Sequence, residues 1–210
     1  WEAYNIQKRL WSHKIENGAA DAVLLLEHPP TFTIGKSGKL ENLLVGKEEI
    51  AKENISLFFT DRGGDITYHG PGQLVVYPII DLKNRSKDVH RYINDLEEVI
   101  IRTLADFSIE AQRDAKHVGV WVDDEKIAAI GVRIKRWITM HGFAINVNPN
   151  LEHFSYINPC GIVDKGVTSI AKVLSRDVLM EVVVKGVVNH FSEVFDASIE
   201  QRSIDSLRCD

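Results

Sequence analysis

Consecutive short strands with no helix between them are the sequence feature that most constrains this fold. Residues 118–134, VGVWVDDEKIAAIGVRI, form two apolar runs separated by the acidic turn 123–125, and ITMHGFAINVN (138–148) follows as a third run. Apolar runs of this length, bounded by turn residues, are typical of strands, and short turns join antiparallel neighbours. The pattern therefore argues against a regular alternation of strands and helices around a parallel sheet.

Helical spacing of apolar residues, three and four apart, occurs in separate parts of the chain. It is clearest over 88–107 and weaker over 176–195, where valines lower the helix propensity. A further helix is predicted over 3–17, with Gly18 as its end. Additional short strands are predicted at 22–26, 31–36, 55–60 and within 61–82.

These elements predict an α+β fold with a mixed β-sheet flanked by helices. We expect one domain over residues 1–210, with a peripheral tail from about 197 to 210. The chain is 44% hydrophobic and 26% charged, which is ordinary for a folded protein.

Charge and cysteine content narrow the function classes. The net charge of -5 and the pI of about 5.9 give no global electrostatic case for nucleic-acid binding. No apolar run approaches the roughly 20 residues of a membrane helix. Two cysteines do not make a disulfide framework and indicate a reducing compartment, either the cytoplasm or, in a eukaryote, the mitochondrial matrix. The chain begins at Trp1, so a removed targeting segment stays an open alternative.

A glycine-rich segment, RGGDITYHGPG (62–72), is the first candidate for a site. Glycine lets backbone approach a ligand, and exposed backbone N–H groups bind anions and carbonyl oxygens. The segment lacks the Gly-Lys-Ser/Thr ending of a P-loop and is not a dinucleotide fingerprint. It is either a hairpin with glycine turns or a substrate-lining segment, and Arg62 and His69 at its ends favour the second interpretation.

The second candidate is Cys160, which lies in INPCGI (157–162) rather than in a periodic apolar run. An unpaired cysteine is most often buried filler, yet a thiol on a glycine-containing loop suits a nucleophile beside an oxyanion site. Such a thiol needs a group that favours the thiolate. The candidate groups that could favour the Cys160 thiolate are His69, His141, His153 and Lys126. A papain-like protease has a different local signature, and no Cys-x-x-Cys or closely spaced histidine pair indicates a metal.

The sequence resembles the lipoyl(octanoyl) transferases, which move an octanoyl chain from acyl carrier protein to a lysine of a lipoyl domain. The blocks that carry the resemblance are RGGDITYHGPGQLVVYP (62–78), KIAAIGVRIKRWITMHGFAINVN (126–148) and FSYINPCGI (154–162), with LLLEHPPTFTIGK before them. They occur in the family's order and spacing, and the resemblance covers residues 1 to 195.

The resemblance implies a fold shared with lipoate and biotin protein ligases. It also implies that Cys160 is the acyl-accepting nucleophile and Lys126 its partner, with no metal and no cofactor beyond the phosphopantetheine of the donor. The implied substrate-binding residues are Arg62, Gly63, Gly64, Asp65, Ile66, Thr67, Tyr68, His69, Ala129, Ile130, Gly131, Gly142, Phe143 and Ala144. The family often has serine where this chain has Ala129, which would remove a hydroxyl but leave backbone contacts.

The implied partners are acyl carrier protein and the lipoyl domains of 2-oxoacid dehydrogenase complexes or the glycine cleavage H protein. Such partners are usually acidic, so a local basic patch is expected at 133–137 with Arg62, or at 83–91. Candidates for the wall of an acyl tunnel are Tyr77, Ile130, Val132 and Phe143. Three alternatives remain: an ATP-dependent ligase on the same fold, a non-catalytic acyl-binding protein and a thioesterase.

Overall fold

A computed structural model describes residues 1–158 and 165–203. The strands are β1 Ala22–Leu26, β2 Thr31–Ile34, β3 Ser56–Phe59, β4 Ile66–His69, β5 Gln73–Ile79, β6 Gln112–Arg113, β7 Val120–Val122, β8 Glu125–Lys135, β9 Ile138–Asn146 and β10 Gly166–Val167. The helices are α1 Glu2–Asn17, α2 Lys47–Lys52, α3 Val89–Ala105, α4 Ile170–Leu174 and α5 Met180–Val194, with 3₁₀ turns at Leu40–Asn42, Leu82–Asn84 and Leu151–Tyr156.

The predicted run of consecutive strands is confirmed and forms the centre of the main sheet. β7, β8 and β9 pair antiparallel in chain order. The connection between β8 and β9 is a two-residue turn in which Arg136 and Trp137 have φ of 56° and 65°. Positive φ at both positions is the geometry whose twist matches that of a two-stranded hairpin.

The main sheet is mixed, as predicted. Its strand order is β1-β5-β9-β8-β7-β6, and β10 pairs with β8 in parallel. A smaller sheet has the order β3-β2-β4, with β2 parallel to β3 and antiparallel to β4. The α+β fold class with a mixed sheet and flanking helices is therefore confirmed.

The glycine-rich segment connects the two sheets and is not a hairpin. β4 belongs to the small sheet and β5 to the main sheet, so the turn Gly70-Pro71-Gly72 carries the chain from one to the other. Gly72 has a φ of 83°, and a Cβ there would lie 2.4 Å from the backbone oxygen of Asn148. Only glycine fits a position that combines positive φ with such close backbone approach.

Helices cover both faces of the main sheet because the side chains of each strand alternate between the two faces. On β5, Leu74 and Val76 join the core under α3 and α5, whereas Val75 and Tyr77 join the core under α1. A separate apolar cluster around Phe32 fills the small sheet. The helices predicted over 3–17 and 88–107 are confirmed as α1 and α3, and Gly18 ends α1 with a φ of 65°.

The helix predicted over 176–195 begins later, at Met180, and a short helix, α4, precedes it. The reason is Val178, which is buried and held by the side chain of Asn148. Asn148 Nδ2 donates to the Val178 oxygen at 2.7 Å, and the Val178 N–H donates to Asn148 Oδ1 at 3.1 Å. These contacts keep residue 178 outside the helical ladder. Within residues 1–158 and 165–203, no helix is long and apolar enough to cross a bilayer.

Candidate active site

A cavity of about 870 Å³ lies between the small sheet, the main sheet and the first turns of α1. Nearly all of the substrate-binding residues that the resemblance implies line it, together with Lys126. They are Arg62, Gly63, Gly64, Asp65, Ile66, Thr67, His69, Ala129, Ile130, Gly131, Gly142, Phe143 and Ala144. The proposed tunnel-wall residues Tyr77 and Val132 line it as well. Three separate sequence blocks therefore meet at one cavity.

Glycines bring the 62–64 loop and the two central strands close together. The Gly63 N–H donates to the Val132 oxygen of β8 at 2.9 Å, which fixes the loop on that strand. Gly131 and Gly142 face each other across β8 and β9. A Cβ on Gly131 would lie 3.0 Å from the Gly63 oxygen, and a Cβ on Gly142 would lie 2.2 Å from the oxygen of Val76. These glycines are required for close backbone packing of the cavity walls.

Arg62 is buried in the cavity wall, so the suggestion that it joins a surface basic patch is wrong. Its Nη2 donates to the oxygen and the Oγ1 of Thr33 at 2.6 and 2.9 Å, and its Nη1 donates to the Gly63 oxygen at 3.0 Å. Of the other basic residues in that patch, Lys135 and Arg136 are exposed and Arg133 is partly buried. Arg133 pairs with Asp61 at 2.7 Å, and Lys135 lies 5.8 Å from the centre of the Trp11 ring.

Asp65 directly precedes β4 and holds the neighbouring loop in place by hydrogen bonds. One carboxylate oxygen accepts the N–H groups of Lys39 and Ile66 at 3.2 and 2.7 Å, and the other accepts Asn42 Nδ2 at 2.5 Å. Because its oxygens are used in this way, Asp65 shapes the cavity wall by holding segment 39–42 against β4.

His69 is a buried, neutral imidazole on the cavity wall. Its Nδ1 lies 2.7 Å from Gln73 Oε1, and Gln73 Nε2 donates to Asn146 Oδ1 at 2.8 Å. Since the Gln73 oxygen can only accept, Nδ1 carries the proton and Nε2 keeps its lone pair. Burial, with a smaller contribution from His28, lowers the pKa of His69 to about 3.

A second imidazole, His28, lies beside it and was missed by sequence reasoning. The ring centroids of His28 and His69 are 5.7 Å apart, and His28 Nε2 lies 2.8 Å from the Tyr77 hydroxyl. Burial lowers the pKa of His28 and raises the pKa of Tyr77. The only local signal was a histidine between the predicted strand at 22–26 and the pair Pro29-Pro30.

At another part of the wall, His141 joins Asp61 to α1. His141 Nε2 lies 2.8 Å from Asp61 Oδ1, and the His141 N–H donates to Gln7 Oε1 at 2.8 Å. Burial lowers the pKa of His141, although Asp61 opposes this shift. Burial also acts to raise the pKa of Asp61, but the hydrogen bond from His141 and the charge of Arg133 lower it overall. The contribution of α1 to the cavity was not predicted from sequence.

Tyr68 is the one implied substrate-binding residue that does not line the cavity. Its ring packs in the small-sheet core against Phe32, and its hydroxyl lies 2.8 Å from His153 Nδ1. His153 is 9% exposed, so it is buried beside Tyr68 rather than on the surface. Side chains alternate along β4, and therefore Thr67 and His69 reach the cavity whereas Tyr68 points away.

Lys126 is the second residue of β8, which begins at Glu125, and it lines the cavity. Its Nζ donates to the Val118 oxygen at 3.3 Å and lies 4.7 Å from the centre of the Trp121 ring. Cys160 lies outside the described residues. On the near side of its segment, the Asn158 N–H donates to the Asn42 oxygen at 2.8 Å.

The residues that follow the Cys160 segment form hydrogen bonds with the backbone of Lys126 and pair with its strand. β10 pairs with the start of β8, with Val167 opposite Lys126, and the Thr168 N–H donates to the Lys126 oxygen at 3.0 Å. Lys165 and Gly166 line the same cavity. Among residues 1–158 and 165–203, no three His, Cys, Asp or Glu side chains are grouped so that they could hold a metal ion.

The protein-family model for the lipoyl protein ligase A/B catalytic domain matches residues 1–192 of this chain. The chain is 50% identical over 208 residues to an octanoyltransferase from Caldicellulosiruptor saccharolyticus, covering 98% of this chain and 88% of the relative. It is 47% identical over 196 residues to one from Desulforamulus reducens, covering 93% and 86%.

Solved structures with the same fold are more distant in sequence. A crystal structure of lipoate-protein ligase A bound with ATP superposes with a TM-score of 0.77 at 16% identity, covering 94% of this chain and 83% of that one. A biotin protein ligase from Aquifex aeolicus superposes with a TM-score of 0.50 at 16% identity, covering 60% and 54%. The chain therefore belongs to the octanoyltransferase family, whose fold is that of the lipoyl protein ligase A/B catalytic domain.

Proposed function

We propose that this acyltransferase moves an octanoyl group from acyl carrier protein to a lysine of a lipoyl domain through a thioester on Cys160, with Lys126 as the proton-transfer partner. Octanoyl transfer in protein lipoylation is the activity of its family. The observation that carries the proposal for the residues is the position of Lys126, which lines the cavity and pairs through its backbone with the strand that follows the cysteine segment.

The first half-reaction forms the acyl-enzyme. The Cys160 thiol gives its proton to Lys126, and the thiolate attacks the carbonyl carbon of the carrier-bound octanoyl group. A new carbon–sulfur bond to Cys160 forms, the bond to the phosphopantetheine sulfur breaks, and Lys126 returns the proton to the leaving thiolate. One thioester replaces another, so this step is nearly isoenergetic and needs no ATP.

The second half-reaction transfers the acyl group to nitrogen. The lysine amine of the lipoyl domain attacks the thioester, a carbon–nitrogen bond forms and the Cys160 sulfur leaves as thiolate. Lys126 accepts the proton that the amine must lose and passes it to that thiolate. Amide formation makes this half-reaction favourable, and the enzyme returns to its starting state.

The walls of the cavity suit an apolar chain. Val75, Tyr77 and Ala144 face it from β5 and β9, whereas Ile130, Val132 and Phe143 contribute to its wall but pack their side chains in the core under α3 and α5. Its volume of about 870 Å³ lies within the usual range of roughly 300–1,000 Å³ for small-molecule sites. Ala129 lines the cavity without a hydroxyl, so the contribution of this position to binding comes from its backbone.

We further propose lipoyl domains of 2-oxoacid dehydrogenase complexes or of the glycine cleavage H protein as acceptors. A solved relative supports this: it is a bipartite lipoate protein ligase from Thermoplasma acidophilum studied together with its E2 lipoyl domain, with a TM-score of 0.74 at 16% identity.

The test is mass spectrometry after incubation with octanoyl acyl carrier protein. An octanoyl adduct on the peptide that contains Cys160, which is absent in Cys160→Ser and disappears when a lipoyl domain is added, is the expected result. A correctly folded protein without an adduct would refute the covalent mechanism. Modification of a lipoyl domain that requires free octanoate and ATP would instead identify a ligase, and rapid release of octanoate without an acceptor would identify a thioesterase.

A further inference from the structure

The aromatic ring beneath Lys126 has a second cation on it. Trp121 is 2% exposed, and its indole lies under Lys126 Nζ at 4.7 Å and under Lys165 Nζ at 4.8 Å from the ring centroid. Its Nε1 donates to the His117 oxygen at 3.2 Å, which fixes the orientation of the ring in its plane. Trp121 precedes the acidic turn and Lys126 follows it, so strand pairing holds the two residues in register.

We propose that Trp121 is a positioning residue that holds the Lys126 ammonium at the cavity wall by a cation–π contact. This rests on the proposed role of Lys126 in proton transfer. A lysine has a flexible four-carbon stem and is strongly hydrated, so a defined Nζ position needs partners that replace water. A ring face within about 6 Å supplies one such partner, and the contact is stronger where water is excluded.

The backbone around Trp121 completes the holding site. The Val118 oxygen accepts a hydrogen bond from Lys126 Nζ at 3.3 Å. Gly119 has a φ of 129°, and a Cβ on it would lie 2.7 Å from the Ala128 oxygen and 3.4 Å from Lys126 Cε. Glycine at 119 therefore allows the chain to approach the lysine stem closely, and the ring, the carbonyl and this backbone contact the half-buried side chain from different directions.

Lys165, which is close in sequence to Cys160, also contacts the Trp121 ring. Its Nζ pairs with Asp114 at 2.7 Å and with Asp124 at 3.4 Å, and these carboxylates offset its repulsion of the Lys126 ammonium. Residue 165 is the first described residue after the segment that carries Cys160. The Trp121 ring thus contacts both Lys126 and Lys165. The electron density of the ring affects how firmly the Lys126 ammonium is held.

Replacement of Trp121 by fluorinated tryptophans, introduced at this site alone, tests the proposal. Fluorine withdraws electron density from the ring face with little change in shape, so packing is kept. Single-turnover formation of the octanoyl-enzyme should slow progressively from one to four fluorines, by roughly two- to thirty-fold in total. The pH midpoint for alkylation of the Cys160 thiol should rise in parallel, because a less firmly held ammonium favours the thiolate less.

Two comparisons make the result specific. The same series at Trp11, whose ring also lies near cations but which is outside the cavity lining, should leave both readouts unchanged. In Lys126→Ala, which should itself slow acylation strongly, fluorination of Trp121 should have no further effect.

The outcomes separate the two proposals. If fluorination of Trp121 changes neither the acylation rate nor the thiol midpoint while Lys126→Ala slows acylation, the proposed role of Trp121 is overturned and that of Lys126 stands. A fluorine effect that persists in Lys126→Ala would also overturn it, because the ring would then act by another route. Normal acylation and an unchanged thiol midpoint in Lys126→Ala would remove the proposed function of Lys126 and the inference with it.

Discussion

Replacement of His69 by asparagine should make the free energy of unfolding less dependent on pH. Asparagine keeps a donor near the position of Nδ1 that can reach Gln73 Oε1, so the hydrogen-bonded chain to Asn146 is retained. What the substitution removes is a group that titrates differently in the folded and unfolded states.

The sign follows from the direction of the shift. Burial lowers the pKa of His69 from 6.5 to about 3 in the folded state, so between these values the unfolded chain binds a proton that the folded protein does not. Stability from this histidine is complete above about pH 6.5 and is lost as the pH falls towards 3. Integrated from pH 7 to pH 5, the loss is about 2 kcal/mol.

Urea unfolding at pH 7, 6 and 5 measures this difference. The wild-type protein should lose about 2 kcal/mol more than His69→Asn over that interval, equivalent to a difference of roughly 4–8 °C in the change of Tm. Burial also lowers the pKa values of His28 and His141, but both residues remain in the variant, so their contribution largely cancels in the comparison. Replacement of the exposed His90 by asparagine is the matched control and should follow the wild type.

Equal slopes for the wild type and His69→Asn would refute the reasoning. They would mean that His69 takes up its proton equally well in the folded state, and that the cavity wall around it is hydrated. A steeper slope in the variant would also contradict it.

Two predictions concern glycines. Gly142→Ala places a Cβ 2.2 Å from the Val76 oxygen, so urea unfolding should show a loss of about 3 kcal/mol, whereas Gly46→Ala, whose Cβ meets nothing within 4 Å, should change stability by less than about 1 kcal/mol. Gly18→Ala should cost about 1 kcal/mol because φ is 65° at the end of α1, and Gly18→Asn should cost less. Equal losses within either pair would contradict the stated cause.

Local patterns were sufficient for most elements of the fold. The helices α1 and α3 follow from apolar spacing and their ends from capping residues: Gly18 closes the first, and Asp88 accepts hydrogen bonds from two N–H groups at the start of the second. The start of α5 was placed four residues too early, because Val178 is held by Asn148 from a distant part of the chain. A local pattern carries no information about such a contact.

The same distinction between local patterns and contacts from distant parts of the chain applies to the candidate site. The glycine-rich blocks and Lys126 could be selected from the sequence, since unusual composition and a resemblance to a family marked them. His28 and Trp121 could not, because a histidine before prolines and a tryptophan in a strand are ordinary in sequence. Each gains its role from neighbours that strand pairing brings to it.

By itself, the sequence determined an antiparallel central run of strands, amphipathic helices to cover it and glycines where backbones approach closely, because these depend on neighbouring residues. The tertiary structure decided that β4 and β5 belong to different sheets. It also decided that Arg62 is buried, with its guanidinium on Thr33 of the small sheet. It also joined His141 to Asp61, 80 residues earlier in the chain. Such contacts depend on strand order and on which face each side chain occupies, and these are fixed only when the sheets pack together.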